Sequence, residues 1–443
     1  MKSVALHNLG CKVNTYELDV MRQKLHENGY SIVSFDEVAD IYIVNTCSVT
    51  NIADRKSRQM LHQAKKRNPQ AVVVAVGCYA QTGTQQAKED EAVDLIIGNN
   101  KKKDIVEILE QYFLDHPDKT LHDTTVIDIN KTNQYEEMTL KTTTEHTRAY
   151  IKIQDGCNQF CSYCIIPYSR GRIRSKPLDE LVSEITALAA NGHQEIVLVG
   201  INLAFYGKEY GLTLADAVEA TGRIPGVKRI RLGSLEPEMI HENDLVRLSE
   251  TEGFCPQFHL SLQSGCDRTL KAMNRKYTSA EYTELVDMIR RIFPDASVTT
   301  DVMVGFPGET EEDFLESYEF VRKTAFSKIH VFPYSVRSGT KAASMPGQLS
   351  GSVKNERAAR MAQLGAELEK NFLKTQVGKT VPVLFEKENC TSFHRGYSPN
   401  YTLVQIKRKS AIKSLRNSIF YVNIKESMNE FCIGEITDAD QNK

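Results

Sequence analysis

Apolar runs of strand length alternate with helix-like segments along most of the chain, and the alternation changes character twice. In the first hundred residues the unit is an apolar run, a short loop and a segment with 3.6-residue periodicity. Residues 3–8 lead through Cys11 to a helix over 14–27 stopped by Gly29, residues 40–44 lead through Cys47 to a helix over 52–67, and residues 71–76 lead into Cys78. Pro69 and Gly77 punctuate the pattern, and a further strand is predicted at 94–97, just before Gly98. Together these predict a doubly wound parallel sheet. Between about 114 and 146 the periodicity fades into polar sequence such as KTNQYEEMTLKTTTEH, which reads as an extended connector or a few edge strands.

A longer β/α alternation follows, with strands predicted at 149–153, 195–199, 229–232, 257–262, 297–304 and 328–332. Right-handed crossovers between six parallel strands curl such a sheet into an open (β/α)6 barrel, with functional loops at the strands' C-terminal ends. A helix over 355–374 closes this unit. From 377 onward short β-rich runs at 381–385, 402–406, 418–424 and 432–436 predict a small all-β barrel. The expected division is a first domain over 1–113, a linker over 114–142, a barrel over 143–375 and a terminal β unit over 376–441.

Composition narrows the classes. The chain has 443 residues, 41% of them hydrophobic, so it can bury more than one core, and disorder and fibrous repeats are excluded. No apolar run approaches the roughly 20 residues of a membrane span, and the N-terminal MKSVALHNLGCKVN lacks a signal-peptide core, so a cytoplasmic location is the expectation. Fifty-five Lys and Arg against 57 Asp and Glu give a net charge of -2, so any nucleic-acid surface must be local. Ten cysteines in such a chain are expected to be thiols or metal ligands rather than a disulfide framework.

The cysteines cluster. Cys157-Asn-Gln-Phe-Cys161-Ser-Tyr-Cys164 is a Cys-x3-Cys-x2-Cys triplet placed directly after the first barrel strand. Three thiolates on one loop can hold three irons of a 4Fe-4S cluster and leave the fourth open to a ligand. A zinc site recruiting a fourth ligand such as His193 is the alternative. Cys11, Cys47 and Cys78 occupy equivalent loops after three strands, and loops after the carboxyl ends of parallel strands line one crevice. The plainer reading of each is a small buried apolar side chain. Cys255, Cys266, Cys390 and Cys432 show no ligand spacing and read as structural.

With these motifs in this order, the chain resembles the radical S-adenosylmethionine enzymes, and among them the methylthiotransferases. The resemblance runs over the whole chain: Cys157, Cys161 and Cys164 match the radical triplet, with Tyr163 at the aromatic position before the last cysteine. Cys11, Cys47 and Cys78 match the N-terminal methylthiotransferase domain, and the terminal β unit looks like a TRAM domain, an RNA-binding barrel. The resemblance implies two 4Fe-4S clusters. One would bind S-adenosylmethionine and cleave it to a 5'-deoxyadenosyl radical that activates an inert C–H bond; the other would carry the sulfur to be inserted, which a second S-adenosylmethionine methylates. It implies a low-potential electron donor and a sulfur source as partners.

Polar residues where barrel strands end are the candidates to hold S-adenosylmethionine: Gly200 and Asn202 in LVGIN, Ser234 and Glu236 in GSLEP, Gln263 in LQSG and Asp301 in TTDVMVGFPGE. Arg275 in KAMNRKYT is expected at a cofactor carboxylate or an RNA phosphate. For RNA, the candidates are Arg170, Arg172 and Arg174 beside the triplet, the run Arg55, Lys56, Arg58, Lys65, Lys66 and Arg67, and in the terminal unit Lys407, Arg408, Lys409, Lys413 and Arg416. Phe393, His394, Tyr397, Tyr401 and Phe420 are available there to stack on bases. Solvated charged faces are the alternative for these runs.

Family members modify isopentenyladenosine in tRNA, threonylcarbamoyladenosine in tRNA, or an aspartate of a ribosomal protein. The wording of IIPYSRGRIRS, HLSLQSGCDRTLKAMNRKYT and HVFPYSVRSGTKAASMP is most similar to the threonylcarbamoyladenosine type. That implies methylthiolation at C2 of the adenosine at position 37, next to the anticodon. A reading from another class is a non-catalytic iron–sulfur RNA-binding protein, whose clusters are structural; the open triplet argues against it.

Overall fold

A computed structural model of the chain describes residues 2–116, 123–143, 146–387, 392–408 and 414–437. The first unit is a six-stranded sheet in which every neighbouring pair is parallel. Its strands are β1 (Ser3–Asn8), β2 (Ser31–Val33), β3 (Ile41–Thr46), β4 (Val72–Gly77), β5 (Leu95–Ile97) and β6 (Asp123–Thr125), in the order β2-β1-β3-β4-β5-β6. The expected doubly wound sheet is present. One strand of this sheet escaped the sequence pattern, β2, which is only three residues long and partly exposed; β6 is an edge strand in the polar stretch expected as an extended connector or a few edge strands. β3 and β4 are buried along their whole length, which is why they read as continuous apolar runs.

The described residues 135–140 of that connector are held in place. Met138 and Leu140 are buried, the Tyr135 hydroxyl donates to the Lys152 carbonyl at 2.5 Å, and the Met138 carbonyl accepts from the Tyr16 hydroxyl at 2.5 Å and the Lys176 ammonium at 2.7 Å.

The second unit is the open barrel. Its strands are β7 (Ala149–Asp155), the short antiparallel β8 (Arg174–Ser175), β9 (Glu195–Gly200), β10 (Arg229–Leu232), β11 (Ser234–Leu235), β12 (Gln257–Leu260), β13 (Ser297–Val304) and β14 (Lys328–Pro333). They form two half-sheets, β10-β9-β7-β8 and β11-β12-β13-β14, linked by a bridge between Ile230 and Phe254. Side chains alternate along each strand. Ile151, Ile153, Ile196, Leu198, Ile230, Phe258 and Val298 join the core shared with the outer helices. Their neighbours Tyr150, Lys152, Val197, Val199, Arg231, His259, Asp301 and His330 therefore face the lumen. The helix Gly351–Lys374 closes this unit against β14.

The third unit is a closed barrel of β15 (Thr380–Phe385), β16 (Phe393–Tyr397), β17 (Leu403–Lys407), β18 (Ile419–Ser427) and β19 (Cys432–Ile436), ordered β15-β16-β17-β19-β18 around Val383, Phe385, Val404, Val422 and Ile424. It seats on the second unit through arginines. Arg229 donates to the Tyr397 carbonyl at 2.7 Å, Arg231 to the Pro399 carbonyl at 2.9 Å, and Arg148 to the Tyr401 hydroxyl at 2.8 Å. Tyr397 and Tyr401 stack on each other at 4.5 Å and 13°, with Arg148 over both rings. These tyrosines thus serve the seam and not base stacking, and His394 is buried.

The first two units are joined by buried charge. Glu17, on the helix Lys12–Glu27, pairs with Lys102, with Lys152 at 3.0 Å and with Arg170 at 2.5 Å, and Asp155 adds contacts to Lys152 and Arg170 at 3.3 Å. All five side chains are essentially inaccessible. The three cations hold the Glu17 carboxyl well below the usual carboxylate range despite its burial. Removing the anion from such a network leaves buried cations uncompensated, so Glu17→Gln is expected to cost about 3–5 kcal/mol, read as a lower denaturant midpoint.

Candidate active site

Cys11, Cys47 and Cys78 follow β1, β3 and β4, which are neighbours in the sheet, so all three loops leave its C-terminal edge side by side. The loops also touch. Gly10, at φ +107°, comes so close to Cys47 that a Cβ on it would sit 3.0 Å from the Cys47 Cβ and 3.1 Å from its Sγ, which a side chain would fill and glycine leaves open. Cys78 starts the helix Cys78–Thr82, and its sulfur accepts from the Asn99 amide at 3.8 Å. Burial pushes the Cys47 thiol up to about 12 and raises that of Cys11, against which the guanidinium of Arg170 pulls.

The triplet loop begins where β7 ends. Gly156, at φ +73°, lets it turn: a Cβ there would lie 1.8 Å from the Arg172 carbonyl oxygen. The loop is then cinched to the opposite half of the barrel by Ser162 N–H to the Met273 carbonyl at 2.9 Å, Ala342 N–H to the Ser162 carbonyl at 2.7 Å, and the Asn274 amide to the Phe160 carbonyl at 3.0 Å. Cys157 accepts from the Asn202 amide and the Gln159 N–H, both at 3.5 Å, and Cys161 from Arg275 at 3.4 Å. Burial pushes the Cys157 thiol up to about 11 and raises those of Cys161 and Cys164. Thiols so raised must release protons to become ligands.

The donor chemistry of both groups fits an iron–sulfur cluster. Among the described residues no three His, Cys, Asp or Glu side chains surround one point as a single ion requires, whereas a cluster spreads its thiolates over separate irons. His193, the expected fourth ligand of a zinc site, is instead buried and accepts from the Thr143 N–H at 3.3 Å.

The strand-end residues gather around the triplet. The Asn202 N–H donates to the Gln154 side chain at 2.7 Å, and its Oδ1 is buried without a partner. Gly200 backs onto the same glutamine, whose Oε1 would lie 2.9 Å from an added Cβ. Glu236 pairs with Arg275, which also donates to the Ser261 carbonyl at 3.1 Å. Gln263, at φ +65°, exchanges backbone hydrogen bonds with Asp301 and Met303 at 2.9 and 2.7 Å. The Asp301 carboxylate lies 3.3 Å from the His259 ring. Tyr163 packs edge-on to Phe306 at 6.5 Å, and Ser234 is exposed at the start of β11.

Several charged candidates are corrected. Arg170 and Arg174 do not face RNA: both are buried, Arg170 in the Glu17 network and Arg174 donating to the Arg172 and Arg170 carbonyls at 2.8 and 2.9 Å. Arg275 is likewise enclosed, away from any RNA phosphate. Arg170 reads as an RNA contact in SRGRIRS because its partner Glu17 lies 153 positions away, while Arg174 approaches Asp155 at 3.8 Å. Arg172 is exposed, resting over Phe160 at 4.7 Å, as are Arg55, Lys56, Arg58, Lys66 and Lys407. Lys65 pairs with Asp94 at 2.8 Å and Arg67 donates to the Phe35 carbonyl at 2.5 Å. Arg408 is half-buried and Arg416 exposed; Cys390, Lys409 and Lys413 lie outside the described residues.

Sequence reasoning passed over Lys12, which stands next to Cys11, and His259 and His330, which the strand alternation of β12 and β14 could have marked as lumen-facing. Cys11 and Lys12 retain accessible surface but are hemmed in by protein, the condition of groups inside an open cavity. Burial, with Arg148 and Arg231 nearby, lowers the Lys12 ammonium to about 8.

Residues 151–321 match the Radical SAM superfamily, and residues 3–98 match a family described as Uncharacterized protein family UPF0004. The threonylcarbamoyladenosine tRNA methylthiotransferase MtaB of Aquifex aeolicus (strain VF5) is 39% identical over 406 residues, 92% of this chain and 96% of its own. The protein of the same name from Bacillus subtilis (strain 168) is 38% identical over 414 residues, 92% and 91% of the two chains. The tRNA-2-methylthio-N(6)-dimethylallyladenosine synthase of Methylacidiphilum infernorum (isolate V4) is 35% identical over 419 residues, 91% and 89%. Among solved structures, the radical S-adenosylmethionine methyltransferase TsrM from Kitasatospora setae, with cobalamin and a [4Fe-4S] cluster bound, aligns over 77% of each chain with a TM-score of 0.55 and 14% identity, a likeness of fold.

Gly156→Ala is expected to force the triplet loop off the Arg172 carbonyl and lower stability by about 1–3 kcal/mol or more. Gly351→Ala, at the start of a helix and with nothing within 4 Å of the added Cβ, is the control that does not lower the thermal midpoint.

Proposed function

Because this chain belongs to the radical S-adenosylmethionine methylthiotransferases, we propose that it methylthiolates C2 of N6-threonylcarbamoyladenosine at position 37 of tRNA. The observation that carries this reading is the 39% and 38% identity, over more than nine-tenths of both chains, to two relatives with that name. Cys157, Cys161 and Cys164 would hold the 4Fe-4S cluster that binds S-adenosylmethionine, and Cys11, Cys47 and Cys78 a second one. When bound, these groups supply the radical that activates the C–H bond, the inserted sulfur and the methyl group placed on it.

The chain's own part is to hold and shield. Asn202 and Arg275 donate to the sulfurs of Cys157 and Cys161, the outer-shell contacts that orient cluster ligands. The unpartnered Asn202 Oδ1 and the Glu236–Arg275 pair would meet the amino acid moiety of S-adenosylmethionine, and Gly200, Ser234, Gln263, Asp301 and Tyr163 would line its site. Arg172, Lys407 and Arg408 are the basic groups to meet the RNA backbone, with the terminal barrel acting as a TRAM domain. The functional division proposed is a methylthiotransferase domain over 1–113, a linker over 114–142 that lends a strand to the first domain, a radical S-adenosylmethionine core over 143–375 and an RNA-binding unit over 376–441. An electron donor and a sulfur source complete the set of partners, and the cytoplasm, where tRNA is modified, is the place of action. No described helix is long and apolar enough to cross a membrane.

Nucleoside mass spectrometry of tRNA from cells with and without the gene tests the reading. The 2-methylthio derivative of threonylcarbamoyladenosine should vanish and its precursor accumulate; loss of the isopentenyl derivative instead would reassign the substrate, and an unchanged nucleoside profile would overturn the reading. Cys157→Ala should bind tRNA as before and form less than about a hundredth of the product, since no side chain replaces the cofactor's chemistry.

A further inference from the structure

The lumen of the open barrel is charged, and its charges are almost all spoken for. Arg231 pairs with Glu195 at 2.9 Å, Arg148 with Glu386 at 2.9 Å, and His259 with Asp301 at 3.3 Å. The first domain borders this space with the start of its first helix. Lys12 opens the helix whose next residue, Val13, packs on Val197 and Val199 of β9. Its ammonium lies within electrostatic range of Arg148, Arg231, Glu195 and His330, groups drawn from β9, β10, β14 and the entry to β7. Among the described residues that ammonium makes no hydrogen bond and no ion pair. The carboxylate among these groups, Glu195, is shared by Arg229 and Arg231.

Lys12 keeps access to solvent but is repelled by Arg148 and Arg231, and that repulsion is relieved when an anion enters beside it. The side chain is also joined through one peptide bond to Cys11, so it stands at the end of the lumen where the first domain's three cysteines meet. The proposed substrate supplies the missing group. A threonylcarbamoyl adenine carries a free carboxylate on its N6 substituent; an isopentenyl adenine carries only hydrocarbon there.

We propose that Lys12 is the residue that receives the carboxylate of the threonylcarbamoyl group and so selects the acidic nucleoside over apolar ones. This rests on the substrate reading above and deepens it. A carboxylate received by an ammonium in an enclosed site makes a charge-assisted hydrogen bond, and a partner lacking the charge leaves the cation unpaired, so discrimination comes from both terms.

The test compares two anticodon stem-loop RNAs, one with threonylcarbamoyladenosine at position 37 and one with the same group converted to its neutral carboxamide, binding to cluster-loaded protein. Wild type should prefer the acid by about tenfold or more. In Lys12→Met the ratio should fall to about one, and Lys12→Arg should keep most of it. If Lys12→Met retains the wild-type ratio, the proposal is overturned, all the more if the visible spectrum of its iron–sulfur chromophore shifts, since Lys12 would then serve the cluster. A wild type that binds both RNAs equally also overturns it while leaving the substrate reading standing, because the nucleoside profile reads that separately. A wild type that modifies an isopentenyl stem-loop and not the threonylcarbamoyl one sinks both.

Discussion

Glu17 is the group on which the assembly of the first two units depends. It is one carboxylate, on the first helix, and it neutralises a lysine of its own domain and two cations of the barrel at once. None of Lys102, Lys152 and Arg170 has access to water, so each needs a partner within the protein. The same guanidinium donates to Asn14 at 2.5 Å and lies near Cys11 and Cys78, while Ser169, beside it, accepts from Asn99 at 2.6 Å through its carbonyl. One short helix, Ile166–Arg170, therefore carries contacts to both groups of cysteines: it begins two residues after Cys164 and ends on the first domain's loops.

Much of this was legible in the sequence, and the reasons differ by element. The buried parallel strands announced themselves as apolar runs, and the three cysteine loops of the first domain as repeats of one unit. What could not be read is what depends on distance along the chain. Arg170 and Arg174 look like surface charge because nothing near them in sequence says that Glu17 and Asp155 will cover them. Tyr397 and Tyr401 look like a base-stacking platform because the arginines that engage them sit at 148, 229 and 231. Strand β16 was overlooked because HRGY interrupts the apolar pattern, yet His394 and Gly396 are its buried face. Lys12 was hidden by its neighbour: beside a cysteine with a clear role, a lysine reads as filler.

The lumen combines two kinds of wall. On the β7 and β9 side it is lined by groups already paired, Lys152 with Glu17 and Glu195 with Arg231, which fixes their positions. On the β12 to β14 side, His259, Asp301 and His330 are more accessible: His259 lies 3.3 Å from the Asp301 carboxylate, hydrogen-bonds the Thr299 hydroxyl at 2.9 Å and meets the His330 ring tilted at 5.8 Å. Rigid charge on one side and accessible polar groups on the other suit a cavity that must orient a planar base while leaving its reactive edge toward the cysteines.

The placement of the counter-charges also bears on how the chain is made. A protein leaves the ribosome from its N-terminus, and domains fold as units in that order. Glu17 and Lys102 both belong to the first domain, so that pair forms before the barrel exists, and the surplus negative capacity of the network waits for Lys152 and Arg170 to arrive. Arg148, Arg229 and Arg231 in turn wait for the last unit, whose carbonyls and tyrosines cap them. Each later stretch of chain supplies partners for charges that an earlier one presents, so the order of synthesis is also an order in which the units can dock.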